Sequence, residues 1–494
     1  MRFLIPLFMI VAATTAQAAD RVALVFGVAE YSSIPALDNT VNDARLISDS
    51  LRRIGFEVET AIDPTGEQMR DAIDAFAFRA ETADLAMVYF AGHGVEVEGQ
   101  NFLIPSDAEV SSNRDVQRQA VSLDDLLAAV DKARKMRIVI LDSCRDNPFG
   151  DALDKVETAV AEAQTGGPQT RGGGGLAPAD PDRGTLVAFA ARDGQVALDG
   201  SGANSPFAIA LSDRISKPGL EISLMFRQVR DQVLEQTANL QEPYTYGSLS
   251  GIPFYLNGDN ALAEDTEDGR RAAWSQLRPE QELQLAALAD TGDTRSMLGL
   301  AYIRLNPEAD RFDPDSAVQY LQRAAEAGSP EAQFELAKLY EKGLGVGQDQ
   351  ARALELFQQA ADQEFADALN DLGFLYYQGG LGLQRDEATA MTYFERAANQ
   401  RHPEAMFNFA ALIDDGVVSG KGPEDAARYL YDALRSGSQD VMELLANRPT
   451  MFKATTRRAL QEKLRSFNFY TGAIDGDFGP GTQRGLRRAF GAAG

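Results

Sequence analysis

Cysteine is nearly absent: 494 residues hold one, Cys144, together with only two histidines, His93 and His402. A lone thiol cannot form an intramolecular disulfide, so in an exported chain it needs a reactive role or none. Basic charge is also short, with 47 Lys and Arg against 73 Asp and Glu, a formal net charge of −26. That balance argues against nucleic acid, whose binding needs clustered cations to replace counterions. It argues equally against an anionic membrane surface. Long apolar runs are missing too. The stretch Leu4 to Val11 is too short to span a bilayer, and with Arg2 before it and Ala16-Gln17-Ala18 after it, residues 1–19 read as a secretory signal. The expectation is an exported, periplasmic chain that begins near Ala19 or Asp20.

What is present is enough apolar content, 44%, for several cores. From Arg21 to Leu256, short apolar runs alternate with amphipathic stretches, the pattern of an α/β domain with a mostly parallel sheet. Strands are expected at Val22–Val28, Phe56–Ile62, Leu85–Ala91, Ile138–Asp142, Thr185–Ala190 and Gly251–Leu256. Helical spacing marks Asn42–Ile54, Gly66–Ala80, Ser122–Ala133, Pro206–Ile215 and Ser223–Gln236, and Val95–Ile104 reads as a hairpin. The glycine-rich stretch 166–184 reads as a mobile loop. Residues 257 to about 272 are acidic and read as a linker, which with a lead-in helix extends to 286.

Beyond the linker the pairs Ala324-Ala325, Ala360-Ala361, Ala397-Ala398 and then Ala433-Leu434 recur at steps of 36, 37 and 36 residues. Each unit joins an aromatic helix, as in Phe334 to Tyr340, to a glycine turn, as in Gly343-Leu344-Gly345. This is a helix-turn-helix solenoid, in which a repeat buries its face only against its neighbours. Over 287–445 it resembles the Sel1-like branch of the tetratricopeptide family, which implies an unknown protein partner. Residues 454–494, with Asp475-Gly476-Asp477-Phe478-Gly479 after a Leu460-Gln461 helix, resemble the small three-helix peptidoglycan-binding domain and imply a glycan ligand. His402 precedes Pro403 in a repeat turn and reads as a turn residue.

The candidate chemistry sits where two buried strands end, Cys144 after Ile138–Asp142 and His93 after Leu85–Ala91. Open parallel sheets keep their chemistry at these carboxyl ends. A thiol becomes an effective nucleophile as the thiolate, and a neighbouring imidazole can take its proton and later protonate a leaving amine. Gly92 and Gly94 remove side-chain bulk, so that substrate backbone can approach. The amides of Gly94 and Cys144 could then hold an oxyanion, a contribution of roughly 3 kcal/mol per donor. A small buried hydrophobe and a satisfied polar residue are the ordinary readings of the two residues taken singly.

Tyr89-Phe90-Ala91-Gly92-His93-Gly94 and Leu141-Asp142-Ser143-Cys144-Arg145-Asp146-Asn147-Pro148-Phe149 resemble the two strand ends of the caspase and metacaspase clan, in its bacterial caspase-like branch. Gly27 to Tyr31 and Leu37 to Ala44 share the resemblance, which covers residues 20–256. It implies a cysteine endopeptidase with a Cys144 and His93 dyad and a Gly94 and Cys144 oxyanion hole. Asp43 and Asp142 match the acidic positions that line the first specificity pocket of metacaspases, which implies protein or peptide substrates cleaved after Arg or Lys. Ala91 departs from the hydroxyl residue that many metacaspases have there. Self-cleavage between the nucleophile strand and the next strand is expected after Arg171. No cofactor or metal is implied, and calcium activation stays open, since no EF-hand loop is present. The rival reading is a periplasmic adaptor that only binds partners. A cell-wall enzyme rests on the tail alone.

Overall fold

The computed structural model describes residues 21–144, 184–192, 197–247, 249, 252–258 and 267–491. The leader, residues 1–19, and Arg171 lie outside them.

The first domain is a sheet between two helical layers. Its elements are β1 (Arg21–Gly27), α1 (Thr40–Arg53), β2 (Glu57–Ile62), α2 (Gly66–Ala80), β3 (Leu85–Val97), β4 (Gln100–Leu103), α3 (Asn113–Gln119), β5 (Val121–Ser122), α4 (Leu123–Val130), β6 (Met136–Cys144), β7 (Thr185–Phe189), α5 (Pro206–Ile215), α6 (Ile222–Gln236) and β8 (Tyr244–Gly247). The strand order is β2-β1-β3-β6-β7-β8. The first five run parallel and β8 pairs antiparallel with β7 at the edge.

Both faces are covered, so the central strands need apolar side chains at every position rather than at alternate ones. Val22, Leu24, Phe26, Ala86, Val88 and Phe90 pack with α2 and α4. The intervening Ala23, Val25, Met87, Tyr89, Ile138 and Ile140 pack with α1, α5 and α6 on the other face. This period of two fixes which positions of β3 and β6 share a face.

Two sequence expectations change. Gly251 of the expected strand Gly251–Leu256 lies outside the described residues, and residues 252–256 form no strand of this sheet, Tyr255 alone among them making an isolated bridge, to Glu221. Pro253 has no N–H for a ladder, and the strand that pairs with β7 is the shorter, more polar β8. Part of the acidic linker is helical: α7 (Glu267–Ser275) buries Trp274 to 1% exposure. A Cβ on Gly299 would lie 2.5 Å from the Trp274 ring, so glycine permits the close approach that docks α7 on the first repeat.

The solenoid follows as α8 (Pro279–Asp290), α9 (Thr294–Leu305), α10 (Pro314–Glu326), α11 (Pro330–Lys342), α12 (Gln350–Asp362), α13 (Ala366–Gln378), α14 (Glu387–Asn399), α15 (Pro403–Asp415), α16 (Pro423–Arg435) and α17 (Gln439–Asn447). Asp313, Asp349 and Asp386 cap the second helix of successive units. Gly343, Gly379 and Gly416 end the first helices at φ of 69°, 79° and 86°, the left-handed region. His402 caps α15, its Nδ1 accepting from Ala405 N at 3.3 Å, as a turn residue should. The last unit holds two α-helices, α18 (Ala454–Ser466) and α19 (Pro480–Phe490), packed on α16 and α17 of the solenoid. Its Asp475 turn is pinned by Gln461, whose amide donates to Asp475, to Asp477 O and to Thr482.

The solenoid does not hang from a tether. At its start Arg295 pairs with the fully buried Glu221 at 3.3 Å. At its far end the Tyr431 hydroxyl donates to Glu81 at 2.8 Å and Arg401 pairs with Asp131. One apolar cluster runs without a break from the α1 side of the sheet through the repeats to Leu486.

Candidate active site

Strands β3 and β6 run side by side in parallel, and the last pair of their register is His93 with Cys144. The expectation that the two residues meet at neighbouring strand ends holds for Cys144, the last residue of β6. For His93 the strand is longer than expected. It continues through Gly92 and Gly94 to Val97, because β4 takes up the edge that β1 leaves. Strand alternation puts positions 89, 91 and 93 and positions 138, 140, 142 and 144 on one face.

The imidazole is oriented by neighbours that the sequence did not single out. Tyr31, just past β1, accepts a hydrogen bond from His93 N at 2.8 Å, and its ring centroid lies 4.8 Å from that of His93. His93 Nε2 lies 3.0 Å from Pro35 O. A carbonyl can only accept, so Nε2 carries the hydrogen and Nδ1 is the basic nitrogen. Nδ1 is buried and has no hydrogen-bond partner among the described residues. Burial also pulls the His93 pKa below the ordinary imidazole value, against the opposing Pro35 contact and the Asp199 charge.

The two glycines have different work. A Cβ on Gly92 would lie 2.7 Å from the Tyr31 hydroxyl and 2.8 Å from the Phe90 ring, so its missing side chain makes room for Tyr31 rather than for substrate. Ile104 N donates to His93 O and Val28 N donates to Ala91 O, so odd positions of β3 turn their amides toward β1 and β4. By alternation the Gly94 amide points to the opposite edge, the side on which β6 ends at Cys144.

Asp43 and Asp142 converge on one residue, Ser205, the N-cap of α5. Ser205 N donates to Asp43 at 3.0 Å and Ser205 Oγ to Asp142 at 3.0 Å. Asn204 donates to Asp43 at 2.8 Å and the Tyr89 hydroxyl to Asp142 at 2.8 Å. Both carboxylates are buried, at 1% and 8% exposure. Burial, opposed by these donors, pushes Asp43 up to about 6. Burial, and next the Asp43 charge, pushes Asp142 up to about 7. Asp199 adds a third negative charge and is itself raised by burial. Among the described residues no Lys or Arg forms an ion pair with any of the three. Asn204, Ser205 and Tyr89 were missed because each is an ordinary residue whose role exists only once β3, β6, α1 and α5 meet.

Residues 20–252 match the caspase domain, and residues 294–329, 330–365 and 366–402 each match the Sel1 repeat. The chain carries a caspase-like domain followed by Sel1 repeats. The caspase-like domain has the cysteine-peptidase fold, and Sel1 repeats support protein interaction. Mucosa-associated lymphoid tissue lymphoma translocation protein 1 of Homo sapiens is 30% identical over 138 residues, 28% of this chain and 16% of its own length. Chitin synthase regulator SKT5 of Saccharomyces cerevisiae is 41% identical over 83 residues, 16% of this chain and 12% of that protein. The chain thus spans less than a fifth of either relative. Among solved structures, the crystal structure of caspase-1 from Spodoptera frugiperda is similar over 50% of this chain and 92% of its own, at 16% identity and a TM-score of 0.35. Among the described residues no cluster of three or more His, Cys, Asp or Glu could hold a metal ion, and no helix is long and apolar enough to cross a membrane.

Proposed function

We propose that the caspase-like domain is a cysteine endopeptidase that cleaves after Arg or Lys, with Cys144 as nucleophile and His93 as general base and then general acid. The observation that carries this reading is the parallel register of His93 with Cys144, beside an acidic pocket whose carboxylates form no ion pair with a Lys or Arg among the described residues. Neutral imidazole is the form that burial favours, and His93 Nδ1 is the nitrogen left to receive the thiol proton. The thiolate attacks the scissile carbonyl carbon, and the oxyanion is held by the Gly94 and Cys144 amides. The imidazolium then returns its proton to the leaving amine, and water hydrolyses the thioester with His93 again as base. Asp43 and Asp142 form the first specificity pocket. An entering guanidinium or ammonium compensates two carboxylates that otherwise face each other at a cost, and it draws both into the charged form.

The chain is proposed to act after export, with self-cleavage after Arg171. The repeats bind a protein partner and residues 454–494 bind peptidoglycan. Pull-down of the whole mature chain with insoluble sacculi tests the last point, and equal recovery in the supernatant with and without sacculi would reduce that unit to a cap on the solenoid. The activity is tested with fluorogenic peptides carrying Arg, Lys, Asp or Leu before the scissile bond. The protein used is residues 20–494, since the solenoid shares its core with the peptidase domain. Arg and Lys peptides are cleaved; preferred cleavage after Asp contradicts the pocket, and no cleavage of any peptide contradicts the enzyme.

A further inference from the structure

Strand β3 changes its edge partner at His93. β1 pairs with it as far as Ala91 and β4 from Gly94 onward, so the ladder passes from one strand to the other at the histidine. The N–H of His93 goes to the Tyr31 hydroxyl instead, and Pro35 O holds Nε2 of the ring. Tyr31 and Pro35 both belong to the loop of residues 28–39 that joins β1 to α1. One loop therefore holds both the backbone and the ring of the candidate base, and whatever fixes the loop fixes the imidazole.

The entry to that loop is held by Asp63, the residue after β2. Its Oδ1 accepts from two consecutive amides, Ala29 N at 2.7 Å and Glu30 N at 3.0 Å, the residues that lead into Tyr31. Such bonds from backbone N–H to a carboxylate are stronger than neutral ones. The backbone of Asp63 closes the same corner, its N donating to Gly27 O at 2.9 Å and its O accepting from Ser106 Oγ at 2.9 Å. Asp63 keeps φ at 47°, in the left-handed region, which a residue other than glycine adopts at a cost and where Asp and Asn are among the most tolerant. Such a conformation persists where the surroundings over-determine it. Further along, Ser32 N donates to Ser106 O at 2.9 Å and Asn39 to Asp199 O at 2.6 Å, which tie the flank and the far end of the loop. In the sheet, β1 separates β2 from β3, so Asp63 acts from outside the site. We propose that Asp63 is a positioning residue for the peptidase reaction, its carboxylate clamping the Ala29 and Glu30 amides and so placing Tyr31, Pro35 and, through them, the ring of His93. The inference rests on His93 being the base. A displacement of about 1 Å in a reacting group costs about a hundredfold in rate, which gives a remote clamp its leverage.

The test uses two variants of the mature chain. Asp63→Gly removes the carboxylate while glycine adopts the positive φ freely, and Asp63→Asn keeps an oxygen acceptor on a residue that tolerates that φ. Each is measured by steady-state kinetics on the Arg peptide and, in the Cys144→Ala background, by a histidine-selective NMR titration. The chain has two histidines, and the signal lost in His93→Ala identifies His93. The expected result for Asp63→Gly is a kcat at least tenfold lower with KM within twofold, and a His93 titration moved upward as the ring leaves its buried setting, while the His402 signal stays in place. Asp63→Asn is expected to restore kcat to within threefold of wild type and to return the His93 titration to its wild-type position. An unmoved His93 titration in Asp63→Gly, an Asp63→Asn variant as impaired as Asp63→Gly, or movement of both histidine signals, which would make Asp63 a support of the fold at large, would each overturn the proposal. A wild-type chain that cleaves no peptide would remove the peptidase reading, and the histidine titration would still decide whether Asp63 governs His93.

Discussion

At the carboxyl ends of β3 and β6 the fold gathers Asp43, Asp142 and Asp199, and at the amino ends of β6 and β7 it gathers Arg134, Arg137 and Arg435. Both ends crowd charges of one sign, yet they manage the crowding in different ways. Burial makes the carboxylates easier to protonate, raising both pKa values, and they accept from the neutral donors Ser205, Asn204 and Tyr89. The guanidiniums keep their charge and are met by acids and carbonyls: Arg134 pairs with Asp84 within the first domain, while Arg401 with Asp131 and Arg435 with the Glu81 carbonyl cross between the two halves of the chain. A pocket whose charge adjusts suits a substrate that arrives and leaves. Charge that is fixed suits an interface that stays.

The largest effect expected at the acidic end comes from the reacting groups. Cys144→Ala or His93→Ala lowers kcat at least a thousandfold, and the double variant is scarcely worse than either alone, since the two act as a unit. Steady-state kinetics on the Arg peptide checks this. Asp142→Asn or Asp43→Asn lowers kcat/KM for that peptide about a hundredfold, the range for leaving a buried charge with half its partner. The Leu peptide and the melting temperature change little. A parallel loss on the Leu peptide would mean that the carboxylates support the fold rather than the specificity.

Changing pH sharpens the comparison further. With folded values of about 6 and 7 for Asp43 and Asp142, cleavage after Arg rises as pH climbs through that window, while the Leu peptide lacks this limb. Stability moves the other way. Both groups bind protons more tightly folded than unfolded, so from their ordinary value of 3.8 up to about 7 the folded state loses proton-linked stability as pH increases. Asp142→Asn flattens that slope in urea titrations. The smallest effect is confined to the solenoid. Gly299→Ala drives a Cβ into Trp274 and costs about 1–3 kcal/mol. The only tryptophan of the chain reports the change in its emission.

Much of the fold was legible because its signals are local. Runs such as Leu85–Ala91 and Ile138–Asp142 are strands because both faces of a parallel sheet are buried, and the repeats announce themselves by period. The position of β8 was not legible, since Tyr244–Gly247 is short and partly polar while the apolar run around Ile252 carries Pro253. Nor was the docking of the solenoid, which rests on single residues such as Trp274, Arg295 and Tyr431, far apart in sequence. At the site, Cys144, His93, Asp43 and Asp142 stood out as rare or charged residues near strand ends and a helix start. Tyr31 and Ser205 are common residue types, and their importance comes from being brought within 3.0 Å of those groups by elements up to 162 positions away.

The central proposal, that Cys144 attacks and the acidic pocket selects, is tested most directly by covalent labelling. The mature chain is treated with two peptidyl fluoromethyl ketones that differ only in carrying Arg or Asp beside the warhead, and the adduct is located by intact mass and peptide mapping. The account predicts one adduct per chain, on Cys144, formed with the Arg reagent, slow with the Asp reagent and strongly slowed in His93→Ala. Equal labelling by both reagents, or an Arg reagent that leaves Cys144 unmodified, would contradict it.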